Sequence, residues 1–530
     1  MNSRDLPRVA RLGLSLVACG VLATTQGLGQ GTGVVGPLKV VVSDTSLPGI
    51  DRGLRDRDLP REPGAPSSRL LPAAVADGST NLPYYEPTSV IVKFRDGAQS
   101  AEINAAMASV RASNRERPFW ANFEIVRIPA GADPQLVAAE LSARPEVEYA
   151  QARYRVRSTL RPNDPQYAQQ WSFPALDMER AWDIQPNAGS EIVVAVLDTG
   201  VAFENGLVRY NARAWRIVDQ NGQTLVAFPA LGIVDVPVAV APELGAAKFV
   251  APRDFIWEDN KPYDFEDHGT HVSATVGQLT NNSVGGAGMA FNARIMPVKV
   301  LDSLWDFIFG NPTIGTDDVV ARGIRYAADN GAKVINLSLG REDGGPAPVV
   351  EDAFRYAVSR GAFVAIASGN SADSGNRPNR LAESAPAIDG VIQVGAVGRT
   401  LDRAYYSTFN SAVEIAAPGG DQRRNGEAGG ILQQTLDGDF IHTYLGGPST
   451  YRAPRLNVFA DQFFQGTSMA TPHVSGFAAL MMQQGITNPA VIEMAMKRHA
   501  RDLGPAGVDS EYGHGLIQPR STLRGLGLAR

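Results

Sequence analysis

Gly466-Thr467-Ser468-Met469-Ala470-Thr471-Pro472-His473-Val474-Ser475-Gly476 is the stretch on which the reading of this chain turns. Small residues suited to a turn lead into an apolar run. Val474, Phe477, Ala478 and Met481 recur at i, i+3, i+4 and i+7, the spacing of a helix with one face in a core. Proline has no N–H and is tolerated in the first helical turn, so Pro472 predicts a helix beginning just before it. Ser468 then sits at a helix N-terminus, where unpaired N–H groups and a partial positive charge favour an anion. A buried helix with a chance serine would look the same, and two segments upstream argue against it.

The first is Ile192-Val193-Val194-Ala195-Val196-Leu197, an apolar strand ending in Asp198-Thr199-Gly200. It places a carboxylate at the carboxyl end of a buried strand. The second is His268-Gly269-Thr270-His271-Val272-Ser273. Its two histidines could be read as metal ligands, but no glutamate accompanies them as in a His-Glu-x-x-His site, and one cysteine and six histidines in the chain give a zinc site little to draw on. A serine hydroxyl is a weak nucleophile until a base takes its proton, and a carboxylate must hold that base in the correct tautomer. Asp198, His268 and Ser468 supply one of each, every one at a strand end or helix start.

The surroundings predict an α/β fold. Apolar runs at 192–197, 293–300, 333–339, 362–367 and 391–397 read as strands, and 317–330 and 349–360 between them as helices. Strands buried on both faces with intervening helices imply a three-layer sandwich with a mostly parallel sheet. Sites in such sheets lie at the carboxyl ends of the strands. A smaller α+β unit precedes it at 81–157: strands at 89–94, 123–128 and 147–151 alternate with helices at 101–112 and after Asp133-Pro134.

Asp198-Thr199-Gly200, His268-Gly269-Thr270-His271-Val272 and the Gly466–Val474 stretch, in that order, resemble the three signature motifs of the subtilisin-like serine peptidases. The resemblance spans 161–530, from Asn163-Asp164-Pro165, similar to a mature amino-terminus, to Tyr512-Gly513-His514-Gly515. It implies an endopeptidase working through an Asp198–His268–Ser468 triad and an acyl-enzyme, with Asn370 of Ser368-Gly369-Asn370 as oxyanion donor. Ser338, Leu339 and Gly340 would form the edge against which substrate lies as an added strand. No cofactor is required for that chemistry. The loop Leu279 to Gly288 resembles the family's calcium loop, with Asn282 as a ligand of a structural Ca²⁺, although the aspartate other members carry shortly after Asp-Thr-Gly is absent. Residues 81–157 are similar to the family's inhibitory propeptide, which would bind intramolecularly and be removed by autocleavage between about Val156 and Arg161. Two stretches, 201–264 and 420–464, are longer than the family pattern; substrate restriction and plain surface loops both remain open for them.

A signal peptide is expected at 1–23: Arg4, Arg8 and Arg11 precede an apolar run from Leu12 to Leu22, with a cleavage site at Val21-Leu22-Ala23. Leu16-Val17-Ala18-Cys19 also resembles a lipoprotein processing site, which would anchor the chain through Cys19. Either route implies a secreted or cell-envelope protein. Cys19 is the single cysteine, so no intramolecular disulfide can form. Residues 24–80, rich in Gly, Pro, Arg and Asp, read as a flexible linker with a short strand at 40–42. The remainder, 158–530, is the peptidase domain. A net charge of −6 over 530 residues, with no long basic run, argues against nucleic acid as a partner. No later stretch reads as a transmembrane helix. The alternative of another class is a pseudopeptidase that keeps the fold and only grips peptides; it would be marked by loss of a triad member. A lipase-like hydrolase is disfavoured because Gly466-Thr467-Ser468-Met469-Ala470 lacks the second glycine of a Gly-x-Ser-x-Gly elbow.

Overall fold

The computed structural model describes residues 39–42, 85–154, 160–311 and 313–525. The expected signal peptide, Cys19, most of the 24–80 linker and residues 156–159 of the maturation window lie outside them. Among the described residues, 85–154 form one compact unit, and 160–525 with 39–42 another.

A strand does form within the stretch read as a linker: β1 (Lys39–Val42), which pairs antiparallel with a strand of the larger unit described below. The smaller unit is a four-stranded antiparallel sheet of β2 (Tyr85–Phe94), β3 (Asn114–Glu116), β4 (Glu124–Arg127) and β5 (Val147–Tyr154), in the order β3-β4-β2-β5. Helices Ser100–Ser109 and Pro134–Ser142 complete it. The second opens as the sequence suggests, with the Asp133 carboxylate capping the Gln135 N–H at 2.8 Å and Pro134 in the first turn. Val90, Val92, Ala106, Val126, Ala138, Leu141 and Val147 make its core.

In the larger unit, β6 (Val193–Asp198) leads the chain into an excursion of four strands: β7 (Gly206–Ala212), β8 (Trp215–Val218), β9 (Thr224–Phe228) and β10 (Gly232–Val238). The main sheet then resumes with β11 (Arg253–Asp254), β12 (Arg294–Lys299), β13 (Val334–Leu337), β14 (Phe363–Ala367), β15 (Val391–Val397) and β16 (Ile415–Pro418). Its order is β11-β12-β6-β13-β14-β15-β16, and every recorded pairing in it is parallel. The five strands expected from sequence are all present; β11 and β16, short and bordered by loops, are additions.

Helix Thr467–Gln483 packs against β13 to β16 and against helix His268–Gly277, and from Met469 to Met482 every residue is buried. Burial therefore covers its whole circumference rather than one face, with Thr471, His473 and Ser475 buried among the apolar residues. Pro472 lies one turn deeper than expected, at the sixth helical position. A proline there has no N–H for the carbonyl four residues back, which belongs to Ser468. Ser338 takes that carbonyl instead, its hydroxyl donating at 2.7 Å. The helix thus keeps its proline because a side chain of β13's outgoing loop meets the orphaned acceptor.

The two long stretches are not plain surface loops. Strands β17 (Ile431–Leu436) and β18 (Phe459–Phe464) of the second form an antiparallel pair. Residues of both insertions, including Val208, Tyr210, Trp215, Phe228, Tyr444, Tyr451 and Leu456, join Phe265, Trp305 and Phe309 in one buried cluster. Trp215 stacks on Phe228 with ring centres 4.0 Å apart, and Trp305 stacks on Tyr451 at 5.7 Å. Backbone bonds tie the insertions directly: Ala239 N–H to Leu456 O at 3.0 Å and Leu456 N–H to Pro237 O at 2.8 Å. β1 extends this region by pairing with β8, Val42 opposite Trp215.

Candidate active site

Asp198 closes β6 and is fully buried. Its Oδ1 accepts the Thr199 N–H at 2.8 Å and lies 2.6 Å from His268 Nδ1. His268 is the first residue of its helix, with its side chain 24% exposed. Such closeness demands glycine next door: a Cβ on Gly269 would stand 2.1 Å from the Gly200 carbonyl oxygen. Burial disfavours the imidazolium, but the Asp198 carboxylate, with help from Asp264 and Asp267, outweighs it and holds the His268 pKa above 6.5.

Ser468 reaches the same place along the neighbouring strand. β13 pairs with β6 so that Leu337 stands opposite Leu197, which sets Ser338 beside Asp198. The Ser468 hydroxyl donates to the Ser338 carbonyl at 3.1 Å, and Ser338 Oγ returns a bond to the Ser468 carbonyl. The serine hydroxyl therefore rests on Ser338 rather than on the histidine in this structure. Behind it runs a buried relay in which Ser475 Oγ donates to Asn336 Oδ1 (2.8 Å) and Asn336 Nδ2 donates to Ser338 Oγ (3.0 Å).

Asn370 is exposed at the end of the β14 loop. Its side-chain oxygen accepts both the N–H and the hydroxyl of Thr467, each at 2.9 Å. Gly466 has φ +152°, and a Cβ placed there would lie 3.5 Å from Asn370 Nδ2 and 3.6 Å from Ser468 N. Two donors thus border one small volume next to the serine, which suits a developing oxyanion.

The residues expected to form the substrate edge follow β13, which ends at Leu337. Ser338 and Leu339 are buried and Gly340 is exposed. The Leu339 carbonyl is held by Asn379 Nδ2 at 3.0 Å, and the same nitrogen donates to Ala367 O at 2.7 Å, tying the edge to the end of β14. A Cβ on Gly340 would sit within 2.4 Å of three Asn379 side-chain atoms, which explains the glycine.

Four further residues build the site and escaped the sequence reading. Asp264 accepts the Thr199 hydroxyl (2.8 Å) with one oxygen, and the Thr270 N–H (2.9 Å) and hydroxyl (2.7 Å) with the other, clamping the aspartate strand to the histidine helix. Lys299, fully buried, stands opposite Asp198 in register and donates to the Thr199 carbonyl at 2.7 Å. Asn379 and Thr467 do the work just described. Asp264 left a trace in the density of acids across Asp264-Phe265-Glu266-Asp267, and Thr467 stands within the Gly466–Val474 stretch itself.

His271 is a core residue. Its Nε2 meets the carbonyls of Ile431 (3.0 Å) and Gln462 (3.1 Å), its ring stacks on Phe464, and burial pushes its pKa down to about 3. The loop carrying Asn282 closes on protein groups: Asn282 Oδ1 accepts the Val284 N–H (2.8 Å) and its Nδ2 donates to Glu243 (3.2 Å). Asp164, a neighbouring carboxylate, accepts the N–H groups of Asn281, Asn282 and Ser283. Calcium takes oxygen ligands, and both kinds of group border this space: the N–H donors of the loop, and the Glu243 carboxylate, whose buried Oε2 has no hydrogen-bond partner.

The fold agrees with comparison to known proteins. The model of the subtilase family matches residues 189–515, and that of the fervidolysin N-terminal prodomain matches 72–152. The chain belongs to the subtilase family and is a serine protease with a prodomain. A thermophilic serine proteinase of Bacillus sp. is 30% identical over 81% of this chain and 86% of its own length. An extracellular protease of Xanthomonas campestris is 31% identical over 83% and 70%. Among solved structures, a protease of Pseudoalteromonas arctica is similar at 29% identity and a TM-score of 0.52, covering 69% of this chain and 99% of that one.

Proposed function

We propose that the chain is an exported endopeptidase that cleaves peptide bonds through Asp198, His268 and Ser468 and removes its own propeptide. The observation that carries this is the 2.6 Å Asp198–His268 contact on β6, one strand from Ser468 and the two donors beside it. A peptide laid along Ser338–Gly340 as an added strand presents its carbonyl to Ser468. The hydroxyl turns from Ser338 O to His268 Nε2, the kind of tightening that substrate binding commonly brings. His268 takes the proton as Ser468 Oγ bonds to the carbonyl carbon, and Asp198 stabilises the imidazolium. Asn370 Nδ2 and the Ser468 N–H receive the oxyanion. The C–N bond breaks as His268 protonates the leaving amine, and water, deprotonated by His268, then frees the acid and restores Ser468. Those steps are proton and acyl transfers among residues of the chain and call for no cofactor. A base must be neutral, so with the His268 pKa above 6.5 activity should rise as pH passes that value.

Export rests on the 1–23 reading and on the name of the Xanthomonas relative. No helix among the described residues is long and apolar enough to cross a membrane. The prodomain supports inhibition and maturation in cis, and Cys19 remains the candidate for a lipid anchor. Intact masses of purified wild type and Ser468→Ala, both expressed full length, test the whole reading. Wild type should lose everything before about Val156 to Arg161 while the variant retains its prodomain. The same masses report whether residues up to Ala23 are removed or Cys19 carries lipid. Two full-length products and no casein hydrolysis would overturn it.

Asn370→Leu offers a finer check, because it removes one oxyanion donor and leaves the triad. The kcat should fall roughly 100- to 1,000-fold with little change in KM, the magnitude known for this donor in subtilisin. An unchanged kcat would assign Asn370 to the Thr467 turn alone.

A further inference from the structure

We propose that His442, in the second insertion, is a positioning residue for the histidine of the triad and acts through Asp267. The inference rests on the role assigned to His268 above. Asp267 directly precedes His268 and begins its helix with φ +60°, a left-handed conformation that a non-glycine residue holds only when its surroundings enforce it. Both enforcing contacts come from the second insertion. The Thr435 hydroxyl donates to the Asp267 carbonyl, and His442 Nε2 lies 3.4 Å from Asp267 Oδ2. His442 is itself held, its Nδ1 2.9 Å from the Tyr444 hydroxyl. Tyr444 is fully buried in the core shared by the insertions, where it meets Trp215 edge-on. A second histidine–carboxylate pair therefore stands one residue from the first, and links the backbone of the base to the aromatic core beside it.

The pair acts electrostatically as well. Asp267 is buried, which lifts its pKa above 3.8; His442 opposes this and favours the carboxylate. An ionised Asp267 in turn favours the charged form of His268. The other groups facing this corner are Asp264 and Glu266 of the same segment, Asp198 of β6, Lys299 of β12 and Asp306 of the short helix Leu304–Ile308. None of them is touched by changing residue 442. Without His442, the Asp267 pKa rises further, its support for the His268 imidazolium weakens, and the His268 pKa falls.

The test uses mature enzyme, with active sites counted by a covalent serine reagent so that misfolded molecules do not enter the rate. In His442→Ala, kcat should fall about tenfold through misorientation of the base, with KM unchanged. The acid limb of kcat/KM should move down by about half a pH unit. His442→Gln, which keeps an N–H donor for Asp267, should recover most of the kcat. Asp267→Asn should reproduce the acid shift, and adding His442→Ala to it should move the limb no further. The downfield proton resonance on His268 Nδ1 should show the same titration shift without substrate, so the result does not depend on turnover. An unshifted limb and resonance in His442→Ala overturns the proposal, as does an equal further shift in the Asp267→Asn background. A wild type that titrates normally yet cleaves nothing would instead count against the assigned function.

Discussion

Ser468→Ala should lower kcat about a million-fold, a figure taken over from subtilisin, whose nucleophile lies in the same motif. The geometry here says why the loss should be so nearly complete and what should survive it. The other hydroxyls nearby are committed elsewhere: Ser338 Oγ to the Ser468 carbonyl and Asn336, Thr199 to Asp264, and Thr467 to Asn370. The survivors are the donors at Asn370 and the backbone of residue 468, so a small residual rate over uncatalysed hydrolysis is expected. Asp198→Asn should be milder, about ten-thousand-fold, because it leaves Ser468 in place and disturbs only the tautomer of His268. Steady-state kinetics on pre-processed protein gives the ordering. If Asp198→Asn proves as active as wild type, the 2.6 Å contact does not orient the base.

The second large effect concerns stability. Lys299→Met should destabilise the peptidase unit by about 3–5 kcal/mol, the usual result of removing one partner of a buried ion pair. Lys299 Nζ lies 3.1 Å from Asp306 Oδ2, and both side chains are fully buried. Asp306 would keep its bonds from Trp257 Nε1 and Ser303 but lose its counter-charge. Burial works against the lysine's charge, yet Asp306, Asp254 and Asp264 together raise its pKa above 10.5. The contribution is therefore complete below pH 10.5 and lost only as pH climbs through the folded value, so the deficit should be constant across the neutral range. Thermal inactivation rates between pH 6 and 9 would show it. Adding Asp306→Leu should restore part of the loss by removing the stranded carboxylate. An unaltered inactivation rate in Lys299→Met would sink the argument.

What could be read from sequence followed from local rules. Both-faces-apolar runs located five central strands, and Asp133-Pro134 located a helix start. The triad candidates and Asn370 stood out because each occupies a strand end or helix start flanked by glycine. Pro472 misled by one turn, since its tolerance depends on Ser338, 134 positions earlier, and no local rule sees that bond. Lys299 lay unremarked inside the run read as the 293–300 strand; only the register with Asp198 and the arrival of Asp306 reveal a buried cation. Asn282 matched a loop pattern, but the direction of its amide is set by Val284 and Glu243. Asp267 and His442 lie 175 positions apart, and nothing in either neighbourhood announces the other.

The aromatic cluster between the insertions has a consequence in time. Its members come from 201–265, 304–309 and 436–456, so it cannot close until most of the chain is present. Contacts so distant along the chain are reached late, because the entropy of closing the intervening loop must be met before any contact rewards it. Interactions formed after the transition state slow escape from the native state more than they speed its formation. The wall that grips Asp267 should thus act as a latch, set last during folding and slow to release, in an enzyme that must outlast its own proteolytic activity.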